Sequence, residues 1–221
     1  MTTPSRGLCS VPLLLGMLVS YWCAAADAGA GKPILILGDS LSAGYGIALE
    51  QSWPALLEQR LRREGYPYRV VNASVSGETT AGGARRIAAL LAEHAPAVVV
   101  IALGANDGLR GLDPAVVKQN LTTIVAAAAQ TGALALLLQV RIPPNYGPQY
   151  TEKFEAVFAD FAMYPQLMLA PFMLERFALN QSAFQTDGLH PTAAVQPQIV
   201  ETLWPSLAAA LAAVGAQAGV Q

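Results

Sequence analysis

The sequence predicts a three-layer α/β/α sandwich around a mainly parallel, roughly five-stranded sheet, and three observations carry that expectation. Short apolar runs recur at Ile34 to Leu37, Tyr68 to Val71, Ala97 to Leu103 and Ala133 to Val140. Near-continuous runs of this kind suit strands buried on both faces. The segments between them have helical spacing or helix-forming composition, so the order reads βαβαβαβα. Right-handed crossovers turn that order into a parallel sheet covered by helices on both sides.

Taken in order, Trp53 to Glu64 and Gly82 to His94 are the first two crossover helices. The third, Asp113 to Thr131, carries its own punctuation: Asp113-Pro114 supplies an N-cap and a first-turn proline, and Gly132 a stop. A helix from Pro148 to Phe161, a short strand near Leu167 to Leu169 and a terminal helix starting at Pro191 complete the layers. There is no internal repeat. The alanine-rich stretches Ala126 to Ala129 and Ala208 to Ala213 read as helix packing surfaces.

The first residues are set aside from the fold. Arg6 precedes an apolar run from Leu8 to Trp22, followed by Ala24-Ala25-Ala26. That order is a secretory signal peptide over residues 1–26, with cleavage after Ala26 or after Ala28, and residues 27–221 form a single domain. The run is shorter than the roughly 20 residues of a membrane span. A periplasmic or secreted protein is expected. Both cysteines, Cys9 and Cys23, fall in the leader, so the mature chain is expected to carry no thiol and no disulfide. Cys23 also reads as a lipid-attachment cysteine, against which stands the bulky Trp22 where such signals have a small residue. The formal charge of −2 and the 13% of charged residues show no basic stripe, which speaks against a nucleic-acid partner.

In a sheet of this type ligands sit beyond the carboxyl ends of the strands, and the polar residues gather there. After the first strand comes Gly38-Asp39-Ser40-Leu41-Ser42, which reads as a placed hydroxyl or as a polar turn capping a helix. After the second comes Asn72-Ala73-Ser74-Val75-Ser76-Gly77-Glu78, and after the third Gly104-Ala105-Asn106-Asp107-Gly108; both also read as plain loops. Near the far end stands Asp187-Gly188-Leu189-His190-Pro191. An aspartate three residues before a histidine can hold one ring nitrogen and leave the other free to take a proton. The second histidine, His94, closes a helix before Pro96, where a dipole contact is the simpler reading. With Pro191 as the first residue of a helix, His190 is expected near a positive dipole end that disfavours imidazolium, with Asp187 acting against it. Asp39 and Asp107 are better read as holding loops than as metal ligands, since no compact ligand set surrounds them. No metal and no cofactor are expected.

Together these blocks supply a nucleophile, a base, an orienter and oxyanion donors, the parts that acyl transfer needs. They resemble those of the GDSL, or SGNH, hydrolases, in particular the branch of bacterial thioesterase I, lysophospholipase L1 and periplasmic arylesterases. The likeness runs from Ile34 to about Trp204, and its most specific parts are Gly104 to Gly111 and Arg141-Ile142-Pro143-Pro144-Asn145-Tyr146-Gly147. The resemblance implies a flavodoxin-like SGNH fold with Ser40 as nucleophile, His190 as base and Asp187 orienting it. It also implies an oxyanion hole of the Ser40 and Gly77 N–H groups and the Asn106 amide. Where that branch often has two glycines before the asparagine, this chain has Ala105. Gly38 to Ser42 is not the Gly-x-Ser-x-Gly elbow of ordinary α/β-hydrolases.

The substrate reading follows from the apolar residues around the blocks. Leu109 and Leu112, then Ile142, Pro143 and Tyr146, then Phe184 are placed to line an acyl groove, and each also reads as a loop anchor. As a set they favour a small-molecule acyl or aryl ester, or a thioester, cleaved by a monomer through an acyl-enzyme. The alternatives are a carbohydrate O-acetylesterase and a catalytically silent binding domain.

Overall fold

The computed structural model describes Met1, residues 31–164 and residues 166–218; the signal-peptide reading lies outside the described residues. Five strands, β1 (Lys32–Gly38), β2 (Tyr68–Asn72), β3 (Val98–Ala102), β4 (Leu134–Leu138) and β5 (Leu167–Ala170), form one sheet in the order β2-β1-β3-β4-β5. Every pairing is parallel, with Ile34 opposite Val70 on one side and Val98 on the other.

Side chains alternate across the sheet and split the core in two. Ile34, Ile36, Val98, Val100, Leu134 and Leu136 face one way and pack with Trp53, Leu57 and Leu61 of α2 (Trp53–Arg63) and with Ile199, Leu203 and Leu207 of the last helix. Leu35, Leu37, Val99, Ile101 and Leu137 face the other way. They meet Ile87 and Leu91 of α3 (Thr80–His94), Leu121 and Ile124 of α5 (Pro114–Gln130) and Phe154 and Phe158 of α6 (Pro148–Ala159). The short helices α1 (Ser40–Ala43) and α4 (Ala105–Leu109) follow β1 and β3 directly.

The last helix, α7 (Gln196–Ala218), corrects the sequence reading. It starts at Gln196, not at Pro191. Pro191 is buried and forms an antiparallel bridge with Phe184, and Thr192 N–H donates to the Ala183 carbonyl at 2.8 Å. Pro191 therefore closes a hairpin-like loop, and helical structure begins only after it, as a 3-10 turn over Ala193–Val195 that leads into α7. Although α7 is long and apolar enough to cross a bilayer, Ile199, Leu203, Leu207, Ala210 and Leu211 are buried in the core.

Strand order places the site. After β2 the chain returns past β1 to build β3, β4 and β5 on the opposite side, so β1 and β3 are neighbours whose following loops diverge. A crevice at that switch point is where open parallel sheets bind ligands. Ser40 follows β1, and Asn106 follows β3.

Candidate active site

The first turn after β1 is held by Asp39. Its carboxylate Oδ1 accepts the Leu41 N–H at 3.0 Å and caps α1, which points Ser40 off the sheet edge. Its Oδ2 accepts from the Asn106 amide at 3.3 Å, and the side chain is only 1% exposed. Burial raises the Asp39 carboxyl to about 6, against the lowering influence of the Leu41 N–H, the His190 charge and the Asn106 amide.

Asn106 is held from both sides. Its amide nitrogen donates also to the Glu78 carbonyl at 3.0 Å, next to Gly77. Arg110, just past α4, donates to the Gly77 carbonyl at 3.1 Å. One short helix thus grips the Gly77 turn at two successive carbonyls, and Gly77 itself has φ 78°, the left-handed region that glycine adopts freely. Behind it, the fully buried Asp107 accepts the Thr80 hydroxyl at 2.6 Å and the Thr80 N–H at 3.0 Å, and Asn120 donates to the same hydroxyl at 3.1 Å. Asp107 therefore ties α4 to the start of α3. Ala105 packs its methyl against the apolar core, while it is at Gly104, φ 121°, that a Cβ would meet the Phe158 ring at 2.9 Å. The position that requires glycine is the one that kept it.

The far loop reaches the same edge. Asp187 Oδ1 accepts the N–H groups of Leu189 at 2.9 Å and His190 at 3.0 Å, while Oδ2 meets His190 Nδ1 at 2.6 Å. His190 Nε2 lies 2.8 Å from the Ser40 hydroxyl, across 150 residues of sequence. The two backbone N–H groups and then the imidazole hold the Asp187 carboxyl down at about 2. Such a relay can pass the serine proton to Nε2, leaving Oγ free to attack a carbonyl.

The expected apolar lining is brought together only in part. Leu109 and Tyr146 are half-buried neighbours, with the Tyr146 hydroxyl donating to the Leu109 carbonyl at 2.8 Å; Pro143 and Leu112 are exposed. Ile142 is 5% exposed and sits in the core, against the spot where a Gly108 Cβ would be. Phe184 packs on Phe177, ring centroids 5.9 Å apart. Ile142 therefore anchors its loop and does not line an open groove, whereas Phe184 is half-buried. An open groove of about 720 Å³ lies between Gly111, Asp113 and Pro114 on one side and Tyr146, Tyr150 and Lys153 on the other; Ser40, Asp187 and His190 do not line it. Tyr45, whose ring stacks on His190, and Gln185, which links their two loops, had no signal in the sequence beyond the flanking glycines. Among the described residues no three His, Cys, Asp or Glu side chains gather as a metal site.

The GDSL-like lipase/acylhydrolase family model matches residues 36–196. The chain is 51% identical to the esterase TesA of Pseudomonas aeruginosa, over 80% of this chain and 89% of that protein. It is 41% identical to the thioesterase 1/protease 1/lysophospholipase L1 of Escherichia coli, over 86% and 88%. Among solved structures, the psychrotrophic esterase EstA from Pseudoalteromonas, inhibited by monoethylphosphonate, superposes with a TM-score of 0.77 at 39% identity, covering 80% of this chain and 96% of that one. With sheet order, strand-end blocks and sequence agreeing over most of its length, the chain belongs to the GDSL-like lipase/acylhydrolase family and is an SGNH-type esterase.

Proposed function

We propose that the chain hydrolyses small acyl or aryl esters and thioesters through an acyl-enzyme on Ser40. The observation that carries this reading is the unbroken relay Asp187–His190–Ser40, with contacts of 2.6 and 2.8 Å. The Ser40 Oγ bonds to the substrate carbonyl carbon as its proton passes to His190 Nε2, and the carbonyl electron pair moves onto oxygen. That oxygen is received by the N–H groups of Ser40 and Gly77 and by the Asn106 amide, which exchanges its long 3.3 Å contact with Asp39 for the stronger charge. Collapse expels the alcohol or thiol with the proton from His190, and water, activated by the same imidazole, releases the acid. The names of the relatives, esterase and thioesterase, support both leaving groups. The acyl chain runs past Leu109 and Tyr146 toward the open groove. The Arg6 and Leu8-to-Trp22 pattern supports export to the periplasm or beyond.

The test is Ser40→Ala with a fluorophosphonate probe and a p-nitrophenyl ester. Labelling at Ser40 in the unmodified enzyme is expected, with kcat falling by on the order of 10⁶ in the variant. An unlabelled Ser40, or a variant nearly as active as the parent, rejects the assignment. Rates on acyl-CoA, lysophospholipid and an acetylated sugar then rank the substrates, and a dominant acetyl-sugar rate overturns the acyl-groove reading alone.

A further inference from the structure

Tyr45 has no part in the relay or the oxyanion hole, yet its placement is tightly specified. It stands between Gly44 and Gly46, both in left-handed backbone with φ 74° and 73°. At Gly46 any Cβ would run into the Gln185 side-chain amide. That amide donates to the Tyr45 carbonyl at 2.8 Å and to the Pro191 carbonyl at 3.1 Å, while the Gln185 N–H donates to the His190 carbonyl at 2.8 Å. The Tyr45 N–H donates in turn to the Ser40 carbonyl at 3.2 Å. One glutamine therefore straps the Tyr45 turn to the loop that carries His190, and the same turn is bonded to the nucleophile's own backbone.

The product of this strapping is a stacked pair. The Tyr45 and His190 rings have centroids 4.3 Å apart with planes 35° from parallel. Tyr45 is 52% exposed, so burial of its ring does not explain why it lies there. We infer that Tyr45 is a positioning residue for the proposed acyl transfer: its ring covers one face of His190, keeps the imidazole in line between Asp187 and Ser40, and favours its charged form as the Ser40 proton arrives. This rests on the reading of His190 as the base.

The physical reason is differential. A flat ring on one face prevents the imidazole from swinging out of the 2.8 Å contact with Ser40, in the free enzyme and in the transition state alike. The attraction of a π face for a cation exists only once the imidazole is protonated, so it is larger in the transition state than in the ground state. Such an interaction raises kcat and leaves KM nearly untouched. The other charged or titratable groups facing His190 are Asp187 on its own loop and Asp39 just after β1, and the hydrogen bonds of Tyr45 go to Ser40 and Gln185, not to either carboxylate.

The experiment compares Tyr45→Leu and Tyr45→Met, which fill the site without a π face, with Tyr45→Phe, which keeps it. Each is checked for folding by circular dichroism and assayed on a p-nitrophenyl ester across the pH range, with the rate of fluorophosphonate labelling in parallel. Both aliphatic variants should lose about five- to tenfold in kcat with KM within twofold. Their acid limb should move to lower pH by about half a unit, because the charged imidazole has lost its partner face. Tyr45→Phe should restore most of the kcat and the original limb. An unchanged kcat in the aliphatic variants, a loss confined to KM with the limb unmoved, or a Tyr45→Phe enzyme as poor as Tyr45→Leu overturns the inference. If the parent enzyme itself is not labelled at Ser40, the proposed function has failed; if parent and Tyr45→Leu are labelled equally fast, only the role of Tyr45 has.

Discussion

Asp39 and Asp187 serve the same site from opposite sides with the same local construction. In each, one carboxylate oxygen is taken by backbone N–H groups, Leu41 for Asp39 and both Leu189 and His190 for Asp187. In each, the other oxygen turns to a functional side chain, the Asn106 amide in one case and the His190 ring in the other. They differ in water. Asp39 is buried and raised to about 6, whereas Asp187 stands at the surface and is lowered to about 2. Two carboxylates of similar build thus move in opposite directions: burial dominates at Asp39, whereas at Asp187 the His190 and Leu189 N–H groups and then the imidazole hold the charged form.

The strongest way to break this comparison is Asp187→Asn. Oδ1 is committed to two N–H donors, so the new amide must place its NH₂ where Oδ2 stood, facing His190 Nδ1. Nδ1 must then accept, which puts the ring proton on Nε2, where it cannot take the Ser40 proton. A loss of about 10⁴ in kcat is expected on the scale of wrong-tautomer imidazoles. Thermal unfolding should barely change, since the site is exposed. Activity within tenfold of the parent would show that Asp187 does not set the tautomer.

Next in size is Asn106→Ala, which removes the amide that Asp39 holds. About 10²–10³ in kcat should go, with little change in KM. A fall limited to KM would place Asn106 in substrate binding and leave the oxyanion hole to the two backbone N–H groups.

Where the sequence was legible and where it was not follows the same division between local and distant causes. The strands were readable because Leu35, Val99 and Ile101 belong to runs buried on both faces, and burial on both faces leaves no polar alternation to confuse with another pattern. Ser40, Asn106 and His190 were readable as candidates because strand ends in such a sheet meet at one edge. The start of α7 was misread because proline signals a first helical turn and a loop closure equally well; only the bridge to Phe184, across the same loop, decides that Pro191 is the latter. Ile142 looked like a groove residue for a similar reason, since apolar side chains near a site carry no mark of which way they point. Tyr45 was invisible because its partner, His190, lies on the other side of the whole sheet in sequence.

The smallest expected change in rate, and the one that most sharpens the contrast, comes from Asp39→Asn. With Oδ1 held by the Leu41 N–H, the new NH₂ faces the Asn106 amide nitrogen, donor against donor, at the place now spanned by a 3.3 Å bond. Asn106 is pushed from its setting and kcat should fall about tenfold, on the scale of one modest hydrogen bond lost. Protonating Asp39 puts a proton in the same gap, so the parent enzyme should approach the variant as pH falls through about 6, and the ratio of their rates should shrink between pH 8 and pH 5. Stability should run the other way. A carboxyl whose folded pKa is raised from 3.8 to about 6 supports folding fully below the lower value and loses that support as pH rises through the upper one. Its charged form above pH 6 therefore opposes folding by on the order of 3 kcal/mol, of which the donor clash in the variant returns about 1. Denaturant unfolding of Asp39→Asn should accordingly show a gain over the parent at pH 8 that vanishes near pH 4. Parallel stability curves across that window would mean that the buried carboxylate is far better satisfied than its surroundings indicate, and the contrast with Asp187 would reduce to exposure alone.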